Sequence, residues 1–181
     1  MNKRDTIISE IPTIEFQNHF LEDILANDLR VIFCGTAAGR RSAQLGQYYA
    51  GPGNKFWRLL AEVGLTPRRL EPSEFRNLLK YGIGLTDIVK GQAGSDGEID
   101  FARHDAAALR EKLLRFEPGI LCFNGKRAAK TFLRSRIIAY GLQDQAIGRT
   151  RIFVAPSTSG AANRWWDRSH WEELARLAAA L

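Results

Sequence analysis

Polar side chains that could bind a ligand stand at the ends of several apolar runs. Asp87 lies near the end of one run, Asn124 directly follows a second, and Ser157 comes shortly after a third. A fourth run stops at Gly35, and small residues and then two adjacent tyrosines at 48 and 49 follow it. Neutral donors, a carboxyl group and an aromatic ring together suit a planar heterocycle, held by its edge and by stacking. The pattern therefore predicts a pocket for such a ring.

Several other chemistries find no support in the residue spacing. The chain contains neither a G-x-x-x-x-G-K-[ST] loop nor a G-x-G-x-x-G segment after its first apolar run. His19, His104 and His170 are scattered, and no Cys or His pair has the spacing of metal ligands. No nucleophile elbow is visible. We expect neither a metal ion nor a cofactor.

Composition limits the class of protein. The 181 residues carry a formal net charge of +6, which favours a polyanionic partner. Cys34 and Cys122 both lie in apolar runs and are expected to pack in the core, as in a protein of a reducing, cytoplasmic compartment. No apolar run reaches membrane-spanning length, so no membrane contact is expected. We expect a monomer.

The elements that must position these side chains follow from hydrophobic spacing. Apolar runs at 31–34, 83–89, 118–123 and 150–155 predict four short buried strands. Residues 1–13 are expected to form a loose arm, 90–104 a long exposed loop, and the chain near Gly141 a turn. Helices are predicted between the strands, over residues 16–25, 54–63, 73–81 with an N-cap at Ser73, 106–116, 127–135 and 169–180.

Strands that alternate with helices favour an α/β fold. We predict a three-layer α/β/α sandwich with a four-stranded, mostly parallel central sheet. In such sheets ligands bind beyond the carboxyl ends of the strands. The side chains at the four strand ends should therefore meet on one rim.

Three sequence blocks carry a resemblance to a known family. They are FCGTAAG with YYAGPGNKFW (33–39 and 48–57), YGIGLTDIV (81–89) and VAPSTSGAANR (154–164). In this order they resemble the mismatch-specific uracil/thymine-DNA glycosylase branch of the uracil-DNA glycosylase superfamily, over about residues 29–177. GQYYA and PSTS are also similar to the hypoxanthine-DNA glycosylase branch. The resemblance implies a single glycosylase-like domain over 1–181, associated with the nucleoid. It would flip uracil out of mismatched duplex DNA and hydrolyse the N-glycosidic bond.

The resemblance also assigns roles at the base. Relatives place an asparagine that orients the attacking water where this chain has Ala37, whose methyl group cannot hold a water. Candidates to replace it are Thr36, Asn54, Asp87 and Ser157. Tyr49 falls where the family stacks an aromatic ring on the flipped base, and Asp87 where relatives touch the base. The expected base-binding set is Gly35, Ala37, Tyr49, Asp87 and Asn124.

DNA contacts are implied by the first and third blocks. Residues 160–163 would form a small wedge, with Arg164 or Trp165 filling the vacated stack. Lys126 is expected to be solvated rather than an imine-forming nucleophile, which indicates a monofunctional enzyme that does not nick the strand. The expected DNA-binding residues are Arg40, Arg41, Ser157, Ser159, Gly160, Ala161, Asn163 and Arg164, with Arg168 as a further phosphate contact.

Other interpretations of the same residues stay open. The damaged base could be hypoxanthine or another deaminated base, and Ala37 would also fit a lesion-binding protein without catalysis. A small-nucleotide hydrolase or binding protein could use the same rim. Tyr49 could be a core aromatic, and Asp87 could cap a turn.

Overall fold

The computed structural model describes residues 21–162 and 166–181, and their centre is one five-stranded mixed sheet. The order across the sheet is β2-β1-β3-β5-β4, with parallel pairing except between β5 and the antiparallel edge strand β4. The α/β class and the mostly parallel sheet are thus confirmed. The strands are β1 (Val31–Gly35), β2 (Ile83–Asp87), β3 (Ile120–Asn124), β4 (Gly141–Ile147) and β5 (Thr150–Ala155).

Helices cover both faces of the sheet because β1 and β3 are apolar on both sides. Val31 and Phe33 pack into one buried cluster with α2 and α5, whereas Ile32 and Cys34 pack into a second with α3 and α4. This arrangement is the expected three-layer sandwich. The helices are α1 (Arg40–Leu45), α2 (Phe56–Glu62), α3 (Ala106–Phe116), α4 (Lys126–Leu133) and α5 (Ser169–Ala179), with 3₁₀ helices at Pro72–Tyr81 and Phe101–Arg103.

The predicted strand number is wrong by one. The sequence of β4, GLQDQAI, has three polar residues in its middle, and four of its seven residues are exposed. An edge strand has solvent on one side, so no continuous apolar run marks it. The turn expected near Gly141 is instead the start of this strand. Cys34 and Cys122 are both buried and free, as their apolar surroundings predicted.

The helix predicted over residues 16–25 is wrong in its described part. Residues 21–25 form no helix, and Ile24 makes two 2.9 Å backbone hydrogen bonds with Leu85 on the open side of β2. The apolar residues that suggested a helix face therefore cover a sheet edge. Residues 16–20 and the arm predicted over 1–13 lie outside the described residues.

The helix after α2 differs from the prediction in its type and in its N-cap. Pro72–Tyr81 is a 3₁₀ helix capped by Glu71, not an α-helix capped by Ser73. The Glu74 carboxylate accepts a 2.9 Å hydrogen bond from the Glu71 backbone N–H, which completes a reciprocal capping box. Of the helices in the described ranges, none has the length and apolar character needed to cross a bilayer.

Close packing around β2 gives a test of this arrangement. A Cβ atom on Gly84 would lie 2.7 Å from the Ile24 carbonyl oxygen and 2.7 Å from Leu29 Cδ1. We expect Gly84→Ala to lower the free energy of unfolding by about 1 to 3 kcal/mol, because the paired backbone must move. Gly97→Ala is the control, since a Cβ atom there meets nothing within 4 Å. Urea unfolding of both variants checks this, and equal stabilities would contradict it.

Candidate active site

One cavity of about 560 Å³ lies at the carboxyl edge of the sheet. Segments that follow β1, β2, β3 and β5 all contribute to its lining, as the strand-end pattern predicted. It brings together most of the residues singled out in the sequence, namely Gly35, Thr36, Ala37, Tyr49, Asn54, Asp87, Asn124, Ser157, Ser159, Gly160 and Ala161.

Asp87 is the buried carboxyl group of this cavity. It is 7% exposed and pairs in register with Gly35, where a Cβ atom would lie only 2.4 Å from Asp87 Oδ1. Among the described residues its carboxyl group accepts no hydrogen bond, so the geometry offers no support for a turn cap. Burial raises the pKa of Asp87 to about 6, with Asp23 adding to the rise and Lys90 opposing it. The group therefore changes protonation near neutral pH.

Tyr49 holds an unusual position beside Asp87. Its ring stacks on Phe56 with centroids 4.0 Å apart, so one face is already covered. Its φ is +53°, a left-handed conformation that costs free energy in a residue with a side chain. The buried hydroxyl makes no hydrogen bond of good geometry, although Asn124 lies close enough to affect its pKa. Burial raises that pKa well above its usual value, which keeps the hydroxyl a proton donor.

The neighbouring Tyr48 also lines the cavity, but its polar groups are engaged within the protein. It is 1% exposed, and its hydroxyl donates a 3.1 Å hydrogen bond to the Glu22 carbonyl. Its own carbonyl accepts a 3.1 Å hydrogen bond from the Trp57 indole. The two adjacent tyrosines therefore differ: the Tyr48 hydroxyl has a hydrogen-bond acceptor, whereas the Tyr49 hydroxyl has none among the described residues.

The side-chain amide of Asn124 forms hydrogen bonds with the loop after β5. Its Nδ2 donates a 2.8 Å hydrogen bond to Thr158 Oγ1, and its Oδ1 accepts a 2.9 Å hydrogen bond from the Thr158 backbone N–H. Thr158 is fully buried. This pair fastens the loop after β5 to the end of β3. Thr158 lies in the third sequence block but was assigned no role, because its partner is 34 residues away.

Asn54 lies where α2 begins. Its Oδ1 accepts a 3.0 Å hydrogen bond from the Phe56 backbone N–H, while its Nδ2 has no partner among the described residues. The next residue, Lys55, donates a 2.9 Å backbone hydrogen bond to the Thr158 carbonyl. Asn54 thus lies beside the loop after β5, with an amide donor left for a ligand.

The hydroxyls of two other candidates are engaged within the protein. Thr36 Oγ1 donates a 2.7 Å hydrogen bond to Asp96, and Ser157 Oγ accepts a 3.3 Å hydrogen bond from the Ser159 backbone N–H. Asp96 belongs to the segment 94–97, which lines the cavity although it was predicted to be an exposed loop. Its composition gave no sign of this contact because the contact spans 60 residues.

The expected phosphate contacts have different surroundings. Arg40 forms an exposed ion pair with Glu98, and Arg168 pairs with Glu62 and Glu172. Arg41 is exposed and forms no ion pair among the described residues. Arg127, which the sequence analysis did not single out, lines the cavity. Asn163, Arg164 and Trp165 lie outside the described residues.

Ligand chemistry follows from this donor set. No group of three or more His, Cys, Asp or Glu side chains in the described ranges is arranged to hold a metal ion. The cavity instead combines one buried carboxyl group, a tyrosine hydroxyl and backbone and side-chain amides. These groups can pair with the edge of a planar base and donate to negative charge that develops on it.

Comparisons with known proteins agree with the geometry. The family model described as the uracil DNA glycosylase superfamily matches residues 22–180. A similar solved structure is the solution NMR structure of a candidate uracil DNA glycosylase from Methanosarcina acetivorans. The two chains are 24% identical, with a TM-score of 0.62, and the match covers 90% of this chain and 97% of the other. At that identity the likeness supports the fold.

The pKa of Asp87 predicts how stability depends on pH. Between its ordinary value of 3.8 and about 6, the folded state binds more protons than the unfolded state, so the free energy of unfolding falls as pH rises. Relative to Asp87→Asn, the wild type should lose on the order of 3 kcal/mol across this window. Urea unfolding of both proteins at several pH values measures this. A difference between them that is the same at every pH would contradict it.

Proposed function

Because this chain belongs to the uracil DNA glycosylase superfamily, we propose that it is a monofunctional DNA glycosylase that removes uracil from mismatched duplex DNA. The superfamily acts on damaged bases in DNA, and a cavity of about 560 Å³ with neutral donors has room for one extruded nucleotide base. The observation that carries the proposal is the buried Asp87 carboxyl group, which no other described side chain satisfies.

Asp87 suits the edge of uracil in its protonated form. Its carbonyl oxygen can accept from the N3–H of the base while its O–H donates to the adjacent O4. A base that fills the cavity excludes water and disfavours the charged carboxylate further, which raises the pKa of Asp87 above about 6. The bound enzyme therefore holds the proton that the base needs.

Bond cleavage follows from the same contact. Extrusion of the nucleotide costs a few kcal/mol, and least for a mismatched pair such as G·U. The bond between C1′ and N1 then breaks with its electron pair on the base, which leaves positive charge on the sugar. The hydrogen bond from Asp87 to O4 strengthens as negative charge spreads over the base, so it favours the transition state. Water adds to C1′ and loses one proton, and the base departs after gaining one.

We assign the water to Asn54. Ala37 has no polar side-chain atom, and Thr36 donates its hydroxyl proton to Asp96. Ser157 Oγ accepts a hydrogen bond from the Ser159 N–H, so its single O–H is the alternative donor for the water. The Asn54 amide has a donor left over and lies next to the loop after β5. Its Nδ2 can donate to the water oxygen, which directs a lone pair toward the sugar.

A second substrate has the same chemical basis. Hypoxanthine presents N1–H beside O6, so the protonated Asp87 could pair with it as with uracil. Hypoxanthine has two fused rings, so the cavity would distinguish it from uracil by size. The proposal therefore places uracil first and treats hypoxanthine as a comparison substrate, while a protein that binds lesions without cleavage is the alternative that Ala37 motivates.

The test is single-turnover cleavage with enzyme in excess, on duplexes that carry uracil, thymine or hypoxanthine opposite each base. We expect abasic product from G·U. Asp87→Ala should slow it by about 10²- to 10³-fold, because one donor to the developing anion is lost. Asp87→Asn is the matched control, since its amide both donates and accepts. It should stay within about tenfold of the wild type.

The pH profile separates the two protonation states of Asp87. In the wild type, kcat/KM should fall as pH rises above about 6, where the free enzyme loses the Asp87 proton. Asp87→Asn should show no such fall. A wild-type rate that increases across this range would show that the carboxylate acts as a base, and absence of any product would leave only lesion binding.

Asn54 gives an independent prediction. Asn54→Ala should lower the maximal single-turnover rate by about 10²-fold while the Kd for G·U duplex stays the same, because the water loses its donor. The same change removes the acceptor for the Phe56 N–H, at about 1 kcal/mol of stability. Asn54→Ser keeps an acceptor there and should match wild-type stability but not its rate. A serine variant with the wild-type rate would overturn the assignment.

A further inference from the structure

A basic surface that the proposed chemistry does not use lies on α4. Between Glu117 and Asp144 the chain has no acidic residue. Three exposed cations, Arg127, Lys130 and Arg134, are three and four residues apart, which places them on one side of the helix and its C-terminal cap. Arg110 of α3 packs against the same helix through Phe132. We call these four residues the α4 basic face.

The charges of the α4 basic face are not balanced within the protein. In the described part of the chain, none of its four residues takes part in an ion pair. Many other exposed arginines do have acidic partners. These are Arg40, Arg58, Arg68, Arg69, Arg76, Arg149 and Arg168. Like charges one helical turn apart repel one another slightly, so the grouping brings no stability of its own.

Aromatic rings orient two of these cations. The Arg127 guanidinium carbon lies 4.2 Å from the Phe101 ring centroid, and that of Arg110 lies 4.5 Å from the Phe132 centroid. Contact with a ring occupies one face of a guanidinium group and leaves its N–H groups at the edge. Two planar donors held in this way suit phosphate oxygens, because the side chains have less freedom to lose on binding.

The α4 basic face begins at the cavity itself, since Arg127 also lines it. A rise of 1.5 Å per residue puts Arg134 about 10 Å along the helix from Arg127. Phosphates along one DNA strand rise about 3.4 Å each along the DNA axis, so a helix aligned with that axis would span about three phosphates over this distance. A strand whose nucleotide occupies the cavity could therefore continue over this helix.

We propose that the α4 basic face binds backbone phosphates of DNA, both in undamaged duplex and in the strand that flanks a flipped nucleotide. The inference rests on the proposed function only in taking DNA as the ligand. Contacts of this kind are independent of sequence and add affinity, whereas Asp87 and Asn54 act on the reacting nucleotide. The surface would hold the enzyme on duplex DNA before a lesion is found.

The experiment measures binding to an undamaged, fluorescently labelled duplex by anisotropy over a range of salt concentrations. The variant is Lys130→Gln with Arg134→Gln, neither of which lines the cavity. Its slope of log Kd against log salt should be smaller than that of the wild type by about 1.8, from two lost phosphate contacts. Its maximal single-turnover rate on a G·U duplex should not change.

The control removes the same amount of charge elsewhere. Arg69→Gln with Arg149→Gln deletes two exposed arginines that pair with Glu71 and Glu117. The control should keep the wild-type slope. An equal loss of slope in both variants, or no loss in either, would overturn the proposal. If the wild type forms no abasic product but its binding still depends on Lys130 and Arg134, the glycosylase proposal fails and this surface stands.

Discussion

Parallel pairing between β1 and its two neighbours determines the chemistry available to this protein. The register sets Gly35 opposite Asp87, and Asp87 Oδ1 occupies the space in which any other residue at position 35 would place its Cβ atom. A buried carboxyl group is thereby held at the cavity without a hydrogen-bond donor from the described chain. Burial of such a group costs stability, and its raised pKa is the measure of that cost. Local arrangements that oppose folding are expected mainly at functional sites.

The second constraint is the fastening of the loop after β5. Asn124 and Thr158 satisfy each other with two buried hydrogen bonds, and the Lys55 N–H reaches the carbonyl of the same threonine. Close approach of Gly53 and Gly160 brings the α1–α2 connection against this loop. Side chains from distant parts of the chain therefore keep fixed positions around the cavity. Such preorganised donors need little rearrangement when charge develops on a bound base.

Neutral and charged groups are separated in space. Apart from Asp96 and Arg127, the polar side chains that line the cavity are hydroxyls, amides and the buried Asp87 carboxyl group, which can exist in its neutral form. The rest of the α4 basic face lies at the surface. This division suits a nucleic-acid ligand. Phosphates are bound by long-range attraction that salt can screen, and the base is held by short hydrogen bonds in a region of low dielectric. Arg127 belongs to both regions because it stands where α4 meets the cavity.

The local sequence was enough to predict features that depend on one short segment of the chain. Strands buried on both faces are continuous apolar runs, so four of the five strands and the placing of Asp87 and Asn124 at the cavity were predictable. The edge strand β4 was not, because exposure removes the apolar signal. Only the tertiary structure decided which polar groups stay free. The partners of Thr36 and Asn124 lie 60 and 34 residues away, and hydrogen bonds over such separations depend on how the whole chain packs.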